Sequence, residues 1–449
     1  MTNFLSRIQN LVWGVPMLVL MLGLGLYLSL RLGFVQLRLL PQALGSFFRS
    51  FRPGPGRSSG QAVCTALAAT VGTGNLVGVA GAICLGGPGA VFWMWLCGLL
   101  GMATKFAEAA LAVRYRVRQG SGWTGGPMYM MTQGLGSKGL AKLYCLFGLA
   151  ASFGVGNAAQ TNAVLTGVHT LLAEVSLGHT QLGDFLLGLA MAAVVGSVLW
   201  GGAGRIGSAA QRLVPLAAAG YLLLCAGILV IRRQALAGAF AAIFQGAFSP
   251  RAVTGGMLGS AFQALRIGCS RGVFTNEAGM GTAAIAHAGA HVRHPAEQGM
   301  MGIVEVFLDT IVICTLTALV ILVSGVPIPY GRDVGGALTL AAFSSVYGGA
   351  ANGLLTLFLC AFAFATVLGW GLYGGRCAQF LFGDGAWRGY ALAQTAVVAV
   401  SAVVDTATVW QLSETMNGLM AIPNLIALAA LSPELIDLTK DYIQKKTGI

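Results

Sequence analysis

About eleven segments of this chain are apolar over the roughly 20 residues that a helix needs to cross a hydrocarbon core. They lie near 11–31, 62–84, 88–113, 141–172, 183–200, 210–231, 254–270, 298–324, 351–376, 389–404 and 409–430, the seventh being short and polar. Hydrophobic residues make up 56% of the 449 and charged residues only 9%. No soluble core needs that much apolar surface, so the expected fold class is an all-α polytopic membrane protein. In lipid each backbone N–H and C=O has to be satisfied within the protein, which leaves little freedom for irregular backbone. The first segment, about Leu11 to Leu30, is long enough to span, and no small-residue cleavage site follows it. It predicts a retained helix rather than a signal peptide. The nine cysteines form no CxxC pair and read as small core residues, supporting neither a disulfide framework nor a zinc site.

Lysine and arginine orient the set. Arg38, Arg49, Arg52 and Arg57 follow the first span, and Arg114, Arg116, Arg118, Lys138 and Lys142 follow the third, whereas the turn at 173–182 has Glu174 and no basic residue. Cytoplasmic loops retain positive charge, so the N-terminus is expected outside and the C-terminus, with Lys440, Lys445 and Lys446, inside. Arg232, Arg233 and Arg251 run against that pattern. The net charge of +12 is therefore a topology signal, and no basic face on a soluble domain exists to hold a nucleic acid.

An odd span count suggests one extra helix and two halves of five. Five being odd, the second half must enter the membrane inverted, the repeat logic of secondary transporters. On that division residues 1–60 carry the extra N-terminal helix and a basic cytoplasmic segment, 61–232 and 233–430 are the two repeats, and 431–449 is a cytoplasmic tail. Such transporters bind at the midplane between two interrupted helices. Val71-Gly72-Thr73-Gly74-Asn75 supplies glycines that weaken the first helix of one half. The first helix of the other ends in Leu265-Arg266-Ile267-Gly268-Cys269-Ser270-Arg271-Gly272, an equally poor continuous helix.

Several stretches carry a family likeness. The run Ala66-Leu67-Ala68-Ala69-Thr70-Val71-Gly72-Thr73-Gly74-Asn75 is followed by Gly86-Gly87-Pro88-Gly89-Ala90-Val91-Phe92-Trp93-Met94-Trp95 and by Gly101-Met102-Ala103-Thr104-Lys105-Phe106-Ala107-Glu108. Further on come Gly125-Gly126-Pro127-Met128-Tyr129, Gly156-Asn157 with Gln160 and Asn162, and Thr275-Asn276-Glu277-Ala278-Gly279-Met280-Gly281. In this order, over most of the chain, the sequence resembles the alanine or glycine:cation symporter family. The resemblance implies the leucine-transporter fold, a 5+5 inverted repeat with one added N-terminal helix, and sodium-coupled uptake of small neutral amino acids such as alanine and glycine. A bacterial-type plasma membrane and function as a monomer are the matching expectations.

The chemistry of such a substrate can be argued from the residues themselves. A zwitterionic amino acid needs donors for its carboxylate and acceptors for its ammonium, and an unwound helix supplies both. The backbone N–H groups at Gly72, Thr73 and Gly74 are the expected carboxylate donors. Carbonyls of Ala68, Thr70 and Val71, with the Asn75 side-chain oxygen, suit a sodium ion. A second sodium site in this fold draws on hydroxyls from the other half, for which Thr366 is the candidate. The resemblance leads one to expect two adjacent hydroxyl residues there, and this chain has Ala365 and Thr366. The plainer account of Thr366 is a hydroxyl bonded back to its own helix. Trp370, four residues on and sharing that face, is expected against the substrate side chain, or else packed on lipid or a neighbouring helix. Asn157 and Gln160 share one face of the fourth span and are expected to meet substrate or pathway, while Asn162 lies off it.

Charges within the spans are costly. Lys105 and Glu108, three apart, are expected to pair. Glu305 and Asp309, four apart, either hold a proton or cation or pair with Arg266, Arg271 or helix ends, the second being preferred. Glu277 is expected in a structural or gating hydrogen bond, and Ala284 stands where the family pattern has proline. His287, His291 and His294 are read as solvated loop residues rather than a metal site. A membrane-embedded enzyme would want an HExxH pair or a serine centre, and neither is found; a channel would want pore-lining repeats or charged rings.

Overall fold

The fold is almost wholly helical in the computed structural model, which describes residues 12–51, 57–119, 122–174, 176, 178–249, 260–404 and 407–447. Arg52, Arg251 and the opening residues of the 254–270 span lie outside the described residues. Six helices there are long and apolar enough to cross a membrane, and two bent pairs bring the number to eight. Each of the eleven expected segments is mostly helical over its described residues, but only six to eight helices there are long and apolar enough to span.

In chain order the helices are α1 (Val15–Arg31), α2 (Leu40–Ser50), α3 (Arg57–Thr70), α4 (Val79–Gly86) and α5 (Ala90–Arg114). A small antiparallel hairpin of β1 (Val117–Gln119) and β2 (Gly122–Thr124) follows, with Arg116 stacked over Trp123. Then come α6 (Lys138–Phe153), α7 (Ala159–Glu174), α8 (Gln181–Leu199), α9 (Gly202–Ile231) and α10 (Leu236–Phe248). The rest are α11 (Ala261–Asn276), α12 (Thr282–His287), α13 (Pro295–Val306), α14 (Thr315–Val323), α15 (Gly336–Tyr347), α16 (Ala350–Phe382), α17 (Ala386–Ser401), α18 (Ala407–Ala430) and α19 (Ser432–Thr447).

Alpha-helical runs are joined at Gly74–Gly78, Gly154–Ala158 and Phe307–Cys314 by wider π-helical turns. Each admits an extra residue into the turn and loosens the regular ladder, as π-bulges commonly do at functional sites. The broken element α3–α4 bends by 50° at Val71–Thr73. Around it α5 packs against α11, α13 and α1, while α16 packs against α3, α6, α7 and α9. The broken helix thus lies between two groups of long helices.

The second interruption is displaced from the expected place. Leu265–Gly272 is continuous helix within α11, and the break falls at Glu277–Gly281, where Glu277, Gly279 and Gly281 all have positive φ. Gly268 and Gly272 instead let α11 approach α5, the first facing Ala90 and Trp93, the second Cys97. Small residues at membrane-helix contacts permit such close packing. Ala284, in place of the expected proline, sits inside the short regular helix α12.

Candidate functional site

At the first break, Gly72 N–H, which a continuous helix would direct at the Ala68 carbonyl, donates to Asn75 Oδ1 at 2.9 Å. Asn75 thereby caps the break and leaves the Ala68 carbonyl without its helical donor. The other end of the Asn75 amide donates to Asp309 Oδ1 at 2.7 Å. At the second break, Ala278 N–H donates to Asn276 Oδ1 (3.0 Å), Asn276 Nδ2 to Thr310 Oγ1 (3.1 Å), and Thr310 Oγ1 to Asp309 Oδ2 (2.9 Å). One buried hydrogen-bonded path therefore joins the two interruptions through a single carboxylate. Among the described residues Asp309 forms no ion pair, so it does not meet Arg266 or Arg271; Arg271 pairs with Asp333 at 3.2 Å.

A small cavity opens at the first break. Thr70, Gly72, Thr73 and Gly74 line it from the broken helix, Gln160 from α7, and Thr366 and Trp370 from α16. Phe274, Glu277 and Asn417 complete the wall. Its free space is about 20 Å³, little more than one water requires. An amino acid enters only if the wall yields. Gln160 Oε1 accepts from the Thr73 hydroxyl at 3.2 Å. Two polar atoms in the wall, Trp370 Nε1 and Asn417 Oδ1, are buried without a hydrogen-bond partner among the described residues. One is a donor and the other an acceptor, the pair of functions that a zwitterion requires.

Thr366 donates back to the Phe362 carbonyl at 3.0 Å, as its plainer account has it. Its oxygen nonetheless faces the break, since a Cβ on Gly72 would come within 2.7 Å of it. Trp370 is seated against Gly156, where any side chain would collide with it. Asn157 turns away from the cavity and donates to the Gln394 carbonyl of α17 at 2.8 Å. Asn162 lines a different cavity of about 390 Å³, on the α4 side of the break, which shares Thr73, Gly74 and Phe274 with the central one. A third cavity, of about 240 Å³, lies along the opposite half of the broken helix at Ser58, Gln61 and Thr65. Approaches thus flank a nearly closed centre.

The buried charges pair differently from their spacing. Lys105 Nζ contacts Glu305 Oε1 at 3.0 Å rather than Glu108. Glu108 Oε1 accepts from the Gly279 and Gly281 amides, each at 2.9 Å, and from Asn424 Nδ2 at 2.8 Å. It satisfies N–H groups that the second break would otherwise orphan inside the membrane. Glu277 Oε2 accepts from the Thr282 hydroxyl at 2.6 Å. His287 is not solvated: it is buried, 3.0 Å from Glu305 Oε2, and on its other nitrogen meets Gln298, which accepts from Ser59 of α3. His294 lies beside Asp441, so the three histidines do not converge.

Asn417, Phe274 and Glu277 are cavity residues that the sequence did not nominate as such. Asn417 carried a usable signal, an amide within the apolar 409–430 segment, by the same cost argument that nominated Gln160.

Two discontinuous helices, a buried polar path between their breaks and cavities on either side define a multi-pass membrane transporter rather than an enzyme. The model of the sodium:alanine symporter family matches residues 1–448, and the chain belongs to that family. It is 41% identical to the sodium/alanine symporter AgcS of Methanococcus maripaludis, over 98% of this chain and 97% of that one. It is 38% identical to the probable sodium/glutamine symporter GlnT of Bacillus subtilis, over 98% and 90%. Among solved structures, MhsT in complex with L-phenylalanine superposes with a TM-score of 0.61 at 14% identity, covering 83% of this chain and 88% of that one. That likeness gives the leucine-transporter fold.

Proposed function

We propose that this chain is a symporter that takes up small neutral amino acids, alanine or glycine, with sodium by alternating access. The observation that carries this is the hydrogen-bonded path from Gly72 through Asn75, Asp309, Thr310 and Asn276 to Ala278. A cation beside Asn75 and Asp309 would be felt at both breaks, so ion occupancy and the geometry of the substrate cavity are linked. The Ala68, Thr70 and Val71 carbonyls and the Asn75 oxygen are assigned as the hard oxygen donors for sodium, Asp309 holding the Asn75 amide from its nitrogen side, with Thr366 serving a second ion from α16.

The substrate carboxylate is assigned to the amides at Gly72–Gly74 and to Trp370 Nε1–H. Gly72 can contribute only if Asn75 releases it. The ammonium is assigned to Asn417 Oδ1, Gln160 and the Glu277 carboxylate. Trp370 limits side-chain size, which favours alanine and glycine over glutamine. Asn157 is assigned a supporting role, holding the π-helical turn against α17.

The full reading has eleven spans: one N-terminal helix, then inverted halves at 61–232 and 233–430, in a bacterial-type plasma membrane. The N-terminus is outside, the C-terminal tail cytoplasmic, and a monomer suffices. The 390 Å³ cavity then faces outward and the 240 Å³ cavity inward. One observation favours a second reading, proton coupling: a carboxylate without an ion pair among the described residues, as at Asp309, can hold a proton as well as sodium. Uptake by reconstituted protein under a sodium or a proton gradient separates the two.

A further inference from the structure

Away from the central path, three side chains at the junction of α7 and α8 converge on one point. His169 Nε2 lies 2.6 Å from Asp184 Oδ1, and His179 Nδ1 lies 3.4 Å from Asp184 Oδ2. The two imidazoles are stacked, with ring centres 3.9 Å apart and planes 15° from parallel. The three donor atoms all fall within 4.8 Å of one another. We propose that His169, His179 and Asp184 form a binding site for a divalent transition-metal ion of the zinc type.

The donor set makes the choice of ion. Two imidazole nitrogens and one carboxylate oxygen match zinc, which takes three protein ligands and a water in its open sites. Calcium and magnesium want six or more oxygens. With metal–donor distances of about 2.0–2.2 Å, tetrahedral ligands sit roughly 3.4 Å apart. His179 Nδ1 is already at that separation from Asp184 Oδ2, and His169 Nε2, now on the other carboxylate oxygen, opens by under about 1 Å. Binding also splays the stacked rings so that both nitrogen lone pairs point at the ion. Among the described residues each imidazole meets only the carboxylate and the other ring. His179 is 56% exposed, so the ion and its water have direct access from solvent. All three ligands come from a 16-residue stretch, which keeps the cost of closing the site low. Bound metal ties α7, which lines the 390 Å³ cavity at Asn162 and Thr166, to the first turn of α8.

The test is zinc titrated calorimetrically into the purified full chain and into His169→Ala and Asp184→Asn variants. One saturable site per chain, weakened at least about tenfold in each variant, is expected, since even outer partners of metal sites cost that much. Cobalt added to the wild type supplies a readout independent of variant folding. Visible ligand-field absorption, abolished by zinc, is expected from a nitrogen- and oxygen-ligated centre. No saturable zinc binding by the wild type, or undiminished binding by both variants, overturns the site.

Discussion

Gly72 and Gly74 look alike in sequence but are held differently. A Cβ at Gly72 would lie 2.7 Å from the Thr366 oxygen, whereas one at Gly74 meets only ordinary contacts, the nearest at 3.5 Å from Thr275. Gly72→Ala is therefore expected to abolish uptake and Gly74→Ala to retain it, with Gly74→Val inactive because its branches enter the cavity; equal tolerance at both positions would separate Thr366 from the break. Asn75→Ala strands the Gly72 amide and one oxygen of the Asp309 carboxylate, Oδ1, together. Leaving a buried polar group unpaired costs roughly 1–3 kcal/mol, or about tenfold and more in affinity. Sodium activation and substrate affinity should both weaken by that factor, and unchanged sodium activation would remove Asn75 from the ion site. Trp370→Ala removes a carboxylate donor and opens the pocket, so alanine affinity should fall while larger side chains such as glutamine compete relatively better; an unaltered alanine affinity and substrate profile would return Trp370 to packing.

Among elements, the two breaks and the helix that links them matter most. The first break was legible because Gly72 and Gly74 fall inside an apolar segment, where only a functional or packing need tolerates them. The second was misplaced because glycine spacing alone cannot distinguish a break from close packing: Gly268 and Gly272 face α5, and the real break begins at Glu277. Partners distant in sequence were not legible at all. Lys105 meets Glu305 across 200 residues and Asn75 meets Asp309 across 234, while local spacing suggested Lys105 with Glu108. Removing one member of the buried Lys105–Glu305 pair leaves an uncompensated charge, worth about 3–5 kcal/mol. Glu305→Gln should therefore lower the thermal stability of purified protein, and a Lys105→Met/Glu305→Leu double variant should recover much of it. A double variant no better than Glu305→Gln would mean that His287 and Gln298 dominate that site. Thr310→Val cuts the path between the breaks and strands Asn276 Nδ2 and Asp309 Oδ2. It should therefore cost roughly 1–3 kcal/mol of stability and weaken the dependence of substrate binding on sodium; an unchanged sodium dependence would remove Thr310 from the coupling path.

For the whole molecule, the number and order of apolar segments and the family motifs pointed to the transporter class before any coordinates, since membrane solvation makes hydropathy a direct readout of helices. What pattern could not give is how those helices enclose space. The centre is nearly shut at about 20 Å³, and larger cavities stand on both of its sides. The proposed alternating access would account for that arrangement: the 390 Å³ cavity touches the break at Thr73 and Gly74, while the 240 Å³ cavity stops short of it. The most direct measurement is uptake of radiolabelled alanine into proteoliposomes holding the purified full chain, under an inward sodium gradient or an inward proton gradient. Accumulation above the external concentration with sodium alone is the predicted result. Accumulation with protons alone, or mere equilibration under both gradients, would contradict sodium symport.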